Sequence, residues 1–94
     1  MKLTRLCKAA DSLRVQDCPA MYLDEDPGMM VGQGKRLDED ATAQLLHLGE
    51  DEAGVAIPTE TVLRAAALVL TAHGRTELGA EIETFVAGRW GVGL

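Results

Sequence analysis

Apolar residues dominate one stretch of this chain. From Val62 to Ala72 almost every residue is apolar, and the six residues from Ala65 to Leu70 carry no polar side chain. Pro58 breaks the short β-branched run 55–57 in front of it, Thr59 offers a hydroxyl cap, and Gly74 supplies a stop, so the pattern predicts a helix over 59–73. A helix apolar nearly all round needs cover on more than one side. This one is therefore expected at the centre of the core, or of the core plus a dimer contact. Leu78, Ile82, Phe85 and Val86 follow at i, i+4, i+7 and i+8, with Thr76 as cap, and predict a last helix over 76–87. Gly74-Arg75 is a tight link, so the two helices should form an antiparallel hairpin. Its seam is expected to hold Val62, Leu63, Ala66, Val69, Leu70, Leu78, Ile82 and Phe85.

Upstream, Ala20-Met21-Tyr22-Leu23 and Met29–Gln33 read as two strands joined by the turn Asp24-Glu25-Asp26-Pro27-Gly28. Gly32 and Gly34 lack side chains, so the second strand should bulge or admit a close backbone neighbour. Asp38-Glu39-Asp40 favours the start of a short helix over 39–48 with Leu45, Leu46 and Leu48 on its apolar side. Glu50-Asp51-Glu52 leads to a third strand at 55–57. At the N-terminus, Leu3, Leu6, Cys7, Ala10 and Leu13 fall near helical spacing among Lys2, Arg5 and Lys8. Residues 1–14 thus read as a basic amphipathic helix or a frayed arm. The fold class expected is α+β: a small antiparallel sheet, made of the hairpin plus the third strand, covered by a C-terminal antiparallel helix pair. One domain should span 1–88, with 89–94 as a tail.

Ninety-four residues support one small core, and with three aromatics it must be built from aliphatic side chains. The net charge of −6 is unevenly spread, since most acids fall within 15–54. An acidic domain is repelled by phosphate backbones, so nucleic-acid binding would need a local basic patch from Arg14, Lys35 and Arg36. No apolar run reaches a membrane span and no signal-peptide pattern is present, which points to the cytoplasm and to reduced thiols at Cys7 and Cys18.

Candidate chemistry is sparse. The acidic triplets at 24–26, 38–40 and 50–52 do not have the spacing of a calcium loop. They are expected in solvated turns, and clustered in space they would form an acidic face for a basic partner through Asp24, Asp26, Asp38, Asp40, Glu50 and Glu52. Cys7, Cys18, His47 and His73 are too irregularly spaced for a zinc site, and a cysteine nucleophile would need a histidine beside it. No catalytic residue, metal or cofactor is expected. Trp90 is either an exposed anchor for a partner or folded back on the last helix. Ala65 and Leu68 lie between Arg64 and Thr71 on the expected outer stripe of the long helix, where they would serve a homodimer contact.

Cys18-Pro19-Ala20-Met21-Tyr22, then Gly28-Met29-Met30-Val31-Gly32-Gln33-Gly34, then Val55-Ala56-Ile57-Pro58 resemble elements that recur in this order in a group of short actinobacterial proteins of unassigned activity. The likeness covers residues 18–64, and Gly32 stands where that group usually has a branched residue. Members often neighbour helix-turn-helix regulators, so the resemblance implies an accessory regulatory role, with a transcriptional regulator as partner. Gly54–Glu60 is also similar to an element of swapped-hairpin transcription factors and antitoxins. This chain lacks the Gly-Asp turn and most of the basic residues that accompany that element. The expected function is a non-catalytic protein-interaction module. The alternatives are a DNA-binding regulator, or a small-molecule binder with its pocket between sheet and helices.

Overall fold

The computed structural model describes residues 2–9, 19–26 and 28–91. Strand β1 (Thr4–Lys8) pairs antiparallel with β2 (Ala20–Asp24), which pairs antiparallel with β3 (Met29–Gln33), giving the sheet order β1-β2-β3. A separate two-stranded ribbon joins β4 (Lys35–Arg36) to β5 (Val55–Ala56), and between them runs the short helix α1 (Glu39–Ala43). Helices α2 (Thr59–Ala72) and α3 (Thr76–Trp90) close the chain. The α+β class, the hairpin and the C-terminal helix pair agree with the sequence pattern.

The N-terminal segment does not. Its described part is an edge strand, and the register shifts between Arg5 and Cys7, leaving Leu6 as the extra residue of a β-bulge. Leu6 and Cys7, adjacent in sequence, therefore both reach the core under α2. A bulge breaks the period of two, and the resulting spacing imitates a helix. Leu13 and Arg14 lie outside the described residues.

The expected third strand is also reassigned. Val55–Ala56 joins β4 in the ribbon, and β1 completes the main sheet. The ribbon still packs on that sheet, because a Cβ on Gly32 would overlap the Ile57 side chain and one on Gly34 would overlap the Ala56 carbonyl. Between the ribbon strands, residues 37–54 close on themselves through the Leu37 N–H bonded to the Gly54 carbonyl at 3.2 Å. Leu37 and Leu45 pack over Gly54. Asp38 caps α1 by accepting the Ala41 N–H at 2.8 Å. The helix ends at Ala43 rather than 48, and the backbone reverses at His47 with φ 56°. Leu46 is left 85% exposed, so no apolar side forms there.

Pro58 holds the cap position of α2 and Thr59 is its first helical residue, so Thr59 does not cap. At the other end, Arg75 N–H reaches the Leu70 carbonyl at 2.8 Å and Gly74 N–H the Thr71 carbonyl at 3.1 Å, with Gly74 at φ +85°. These two bonds satisfy carbonyls that a helix end otherwise leaves open. Thr76 likewise opens α3 from inside the helix, and Arg75 occupies the cap position. Gly88 does not end α3. The helix runs on through Arg89 and Trp90 to Gly91 at φ +66°, which removes residues 89 and 90 from the expected tail.

α2 lies on β1 and β2, and α3 packs mainly on α2. The core cluster is Cys7, Met21 and Ala65, with Leu6 and Ile57 against it. The seam of the helix pair is turned from the expected one. Gly79 and Val86 are buried and Ile82 half-buried, whereas Val62, Leu78 and Phe85 are exposed. The crossing is made at Gly79, where an added Cβ would stand 2.9 Å from the Ala67 carbonyl oxygen and overlap the Thr71 hydroxyl. Gly88, in the same helix, faces nothing within 4 Å.

This contrast gives a paired test by urea unfolding. Gly88→Ala should stabilise the fold by about 0.5–1 kcal/mol through helix propensity alone. At Gly79 the same gain is opposed by overpacking of about 1–3 kcal/mol, so Gly79→Ala should lower stability by about 1 kcal/mol. Shifts of the same sign for both would refute the crossing.

Candidate functional site

Between the C-terminal half of α2 and the β2–β3 turn lies a cleft of about 410 Å³. Leu6 and Leu23 from the sheet and Leu68 and Val69 from the helix supply apolar walls. Asp24, Glu25 and Asp26 stand together at its turn end, and Lys2, Thr4, Ala72 and His73 also line it. Asp24 is only 5% exposed. Its Oδ2 accepts the Lys2 backbone N–H at 3.2 Å, and among the described residues no basic side chain forms an ion pair with it. Asp26 and Glu25 are exposed.

At the opposite end of α2 a polar group ties the helix to β1. Glu60 and Thr61 are buried. The Thr61 hydroxyl donates to Glu60 Oε1 at 2.8 Å, and Arg64 Nη1 lies 3.5 Å from Glu60 Oε2. Arg64 also donates to the Lys8 carbonyl at 3.3 Å, and the Cys7 thiol donates to the Thr61 carbonyl at 3.3 Å. Burial pushes the Cys7 thiol above its ordinary value of 9.0; Arg64 pulls it back and Glu60 adds to the rise. Such a thiol is held protonated, the reverse of what a nucleophile requires. These contacts fasten β1 to the helix, and Cys7 is a free, buried cysteine.

The third feature is the outer side of α3. Leu78 and Phe85, seven residues apart, share one face, and Phe85 is 58% exposed. Trp90 stacks edge-on against Phe85 with ring centroids 5.7 Å apart, and the Arg89 guanidinium lies 5.5 Å from the indole centroid. Of the two readings of Trp90, the structure has it folded back on its own helix, with part of the ring still open to solvent.

The remaining candidates disperse. Ala65 is fully buried on the sheet-facing side of α2, so it offers a second copy nothing, and the expected outer stripe is corrected. Leu68 is exposed, but it lines the cleft on the same side of the helix. Asp38 is spent as a cap and Glu52 braces its own loop by accepting the Gly49 N–H at 2.7 Å, while Asp40 and Glu50 are exposed. Among the described residues no hydrogen bond or ion pair joins the three acidic triplets. Lys35 and Arg36 are exposed on β4, and Arg14 lies outside the described residues. His73 closes α2 as its C-cap. Among the described residues no group of three or more His, Cys, Asp or Glu is placed to hold a metal ion, and no helix is long and apolar enough to cross a membrane. The cleft and the burial of Asp24 carried no sequence signal beyond the helix–sheet interface itself, since Asp24 stands in a triplet that reads as solvated. No protein-family model, curated protein or solved structure matches the chain.

The raised Cys7 pKa has a pH consequence. Unfolding frees a thiol that ionises near 9.0, so the stability tied to the buried thiol is complete below that pH and is lost as pH rises from 9.0 through the folded value. Urea melts at rising pH should therefore fall more steeply for the native chain than for Cys7→Ala. In a Cys18→Ser background, Cys7 should react with a disulfide reagent about tenfold or more slowly in buffer than in urea. Equal rates would place the thiol on the surface.

Proposed function

We propose that this protein is a non-catalytic interaction module of a regulatory accessory kind, working in the cytoplasm and docking a protein partner on the outer side of α3. The observation that carries this reading is Leu78 and Phe85 left exposed on one face of α3, with the partly exposed Trp90 ring edge-on against Phe85, on a helix whose Gly79 and Val86 side is taken up by α2. Large apolar side chains gathered on one face mark contact surfaces more often than scattered ones do. Aromatic and arginine side chains are the residue types that anchor interfaces, and Phe85, Arg89 and Trp90 supply them within one and a half turns. The face suits an amphipathic helix laid along it. A second copy in antiparallel orientation meets that description, because Glu77 and Glu81 near the start of α3 would run beside Arg89 near the end of its copy. A transcriptional regulator with an exposed apolar helix would meet it as well.

Light scattering across a concentration series tests the face. The native chain should exceed monomer mass at tens of micromolar, on the order of a weak interface, and Phe85→Glu should return it to monomer. A native monomer throughout, together with host proteins captured equally by the native chain and Phe85→Glu, would end this reading.

The nucleic-acid alternative has its own test. Lys35 and Arg36 alone neutralise too few phosphates for more than weak, salt-sensitive binding, and the net charge of −6 opposes it. Fluorescence anisotropy with duplex DNA at physiological salt should show no saturable binding. Tight binding lost on Lys35→Ala and Arg36→Ala would favour the DNA-binding regulator instead.

A further inference from the structure

We infer that the cleft between the C-terminal half of α2 and the β2–β3 turn is a binding site for a small amphiphilic organic cation, with an apolar body and an ammonium head. This site stands apart from the α3 face and does not depend on it.

Three observations converge. The first is shape and lining: about 410 Å³ lies within the range of small-molecule pockets, and Leu6, Leu23, Leu68 and Val69 offer hydrocarbon to an apolar body. The second is Asp24. Among the described residues this mostly buried carboxylate takes a 3.2 Å hydrogen bond from the Lys2 backbone N–H and has no ion-pair partner, and a charge so placed gains from pairing. A bound ammonium supplies that partner. The third is the sign of the surroundings. Glu25 and Asp26 stand at the same end, and the cleft reaches the C-terminal turn of α2 at Ala72 and His73, where a helix carries its negative end. Among the described residues Lys2 is the one ammonium on the rim, against three carboxylates. An anion would meet that excess directly, and a neutral hydrocarbon would leave Asp24 as it is.

The occupant is taken to be a small molecule rather than a lysine of a protein partner, because a volume of about 410 Å³ is that of a small-molecule pocket. Hexylammonium is the probe, with hexan-1-ol and hexanoate as controls of matched length, titrated into the full chain by amide NMR. Hexylammonium should shift the amides of Asp24, Leu68 and His73 and saturate in the millimolar range; hexan-1-ol should bind about tenfold more weakly, and hexanoate should not bind. Asp24→Asn should reduce hexylammonium affinity about tenfold, towards that of the alcohol. Leu68→Trp fills the cleft and should abolish binding of every probe while the circular dichroism stays native.

The inference is overturned if hexanoate or hexan-1-ol binds as tightly as hexylammonium, or if no probe shifts these amides up to about 20 mM. It is equally overturned if a natively folded Asp24→Asn chain binds hexylammonium unchanged. Should Asp24→Asn fail to fold, Leu68→Trp decides, since full binding by that variant excludes the cleft. A lysine-rich peptide that displaces hexylammonium and binds more tightly would reassign the cleft to a protein partner. None of these outcomes bears on the Phe85→Glu test.

Discussion

The seating of α2 on the sheet is the contact from which the rest of the fold takes its place. Ala65, with no side-chain volume beyond a methyl group, is buried against Cys7 and Met21, so the helix backbone comes close to β1 and β2. Close approach is favourable only where little intervenes, and the same logic recurs on the far side of the helix. There Ala67 is fully buried and Gly79 allows α3 to touch the α2 backbone. At its N-terminal end the helix is held by polar bonds from Cys7 and Arg64 to the backbone of Thr61 and Lys8. Bonds of this kind stabilise little by themselves, but they are directional and so favour one rotation of the helix over others.

Building the central layer from small residues has a consequence for the surface. Alanine and glycine at the contact points exclude larger side chains from the interior, and among the described residues the fully buried positions include no leucine, isoleucine or phenylalanine. The larger apolar residues are displaced outward. Phe85 and Leu78 end on the open side of α3, Leu46 in the loop after α1, and Leu68 on the wall of the cleft. A core of small residues and larger apolar side chains left at the surface are therefore one arrangement seen from two sides, which is the physical basis for the proposal of an interaction module.

Glycine plays a second part at the ribbon. Gly32 and Gly34 bring Ile57 and the Ala56 backbone against β3, and this is how residues 37–54 are anchored to the main sheet while contributing little to its core. Pro58 then starts α2 directly after the ribbon. The order of events along the chain from Gly32 to Thr61 is thus one continuous device: close approach, strand, proline break and helix start.

How much of this was legible follows from the range of each interaction. The two C-terminal helices, the hairpin with its glycine turn and the stop at Gly74 depend on local backbone preference. The sequence by itself therefore determined them. The pairing of Thr4–Lys8 with β2 depends on residues far along the chain, and the bulge at Leu6 disguised its strand period as a helical one. Val55–Ala56 found β4 rather than the hairpin for the same non-local reason. The rotation of α2 was beyond any pattern, because a helix apolar on all sides carries no mark of which side faces the sheet. Only packing could choose, and it buried Ala65 and left Leu68 at a cleft. The candidate site followed that choice: Asp24 reads as a solvated turn acid, and its burial is a property of the assembled layers alone.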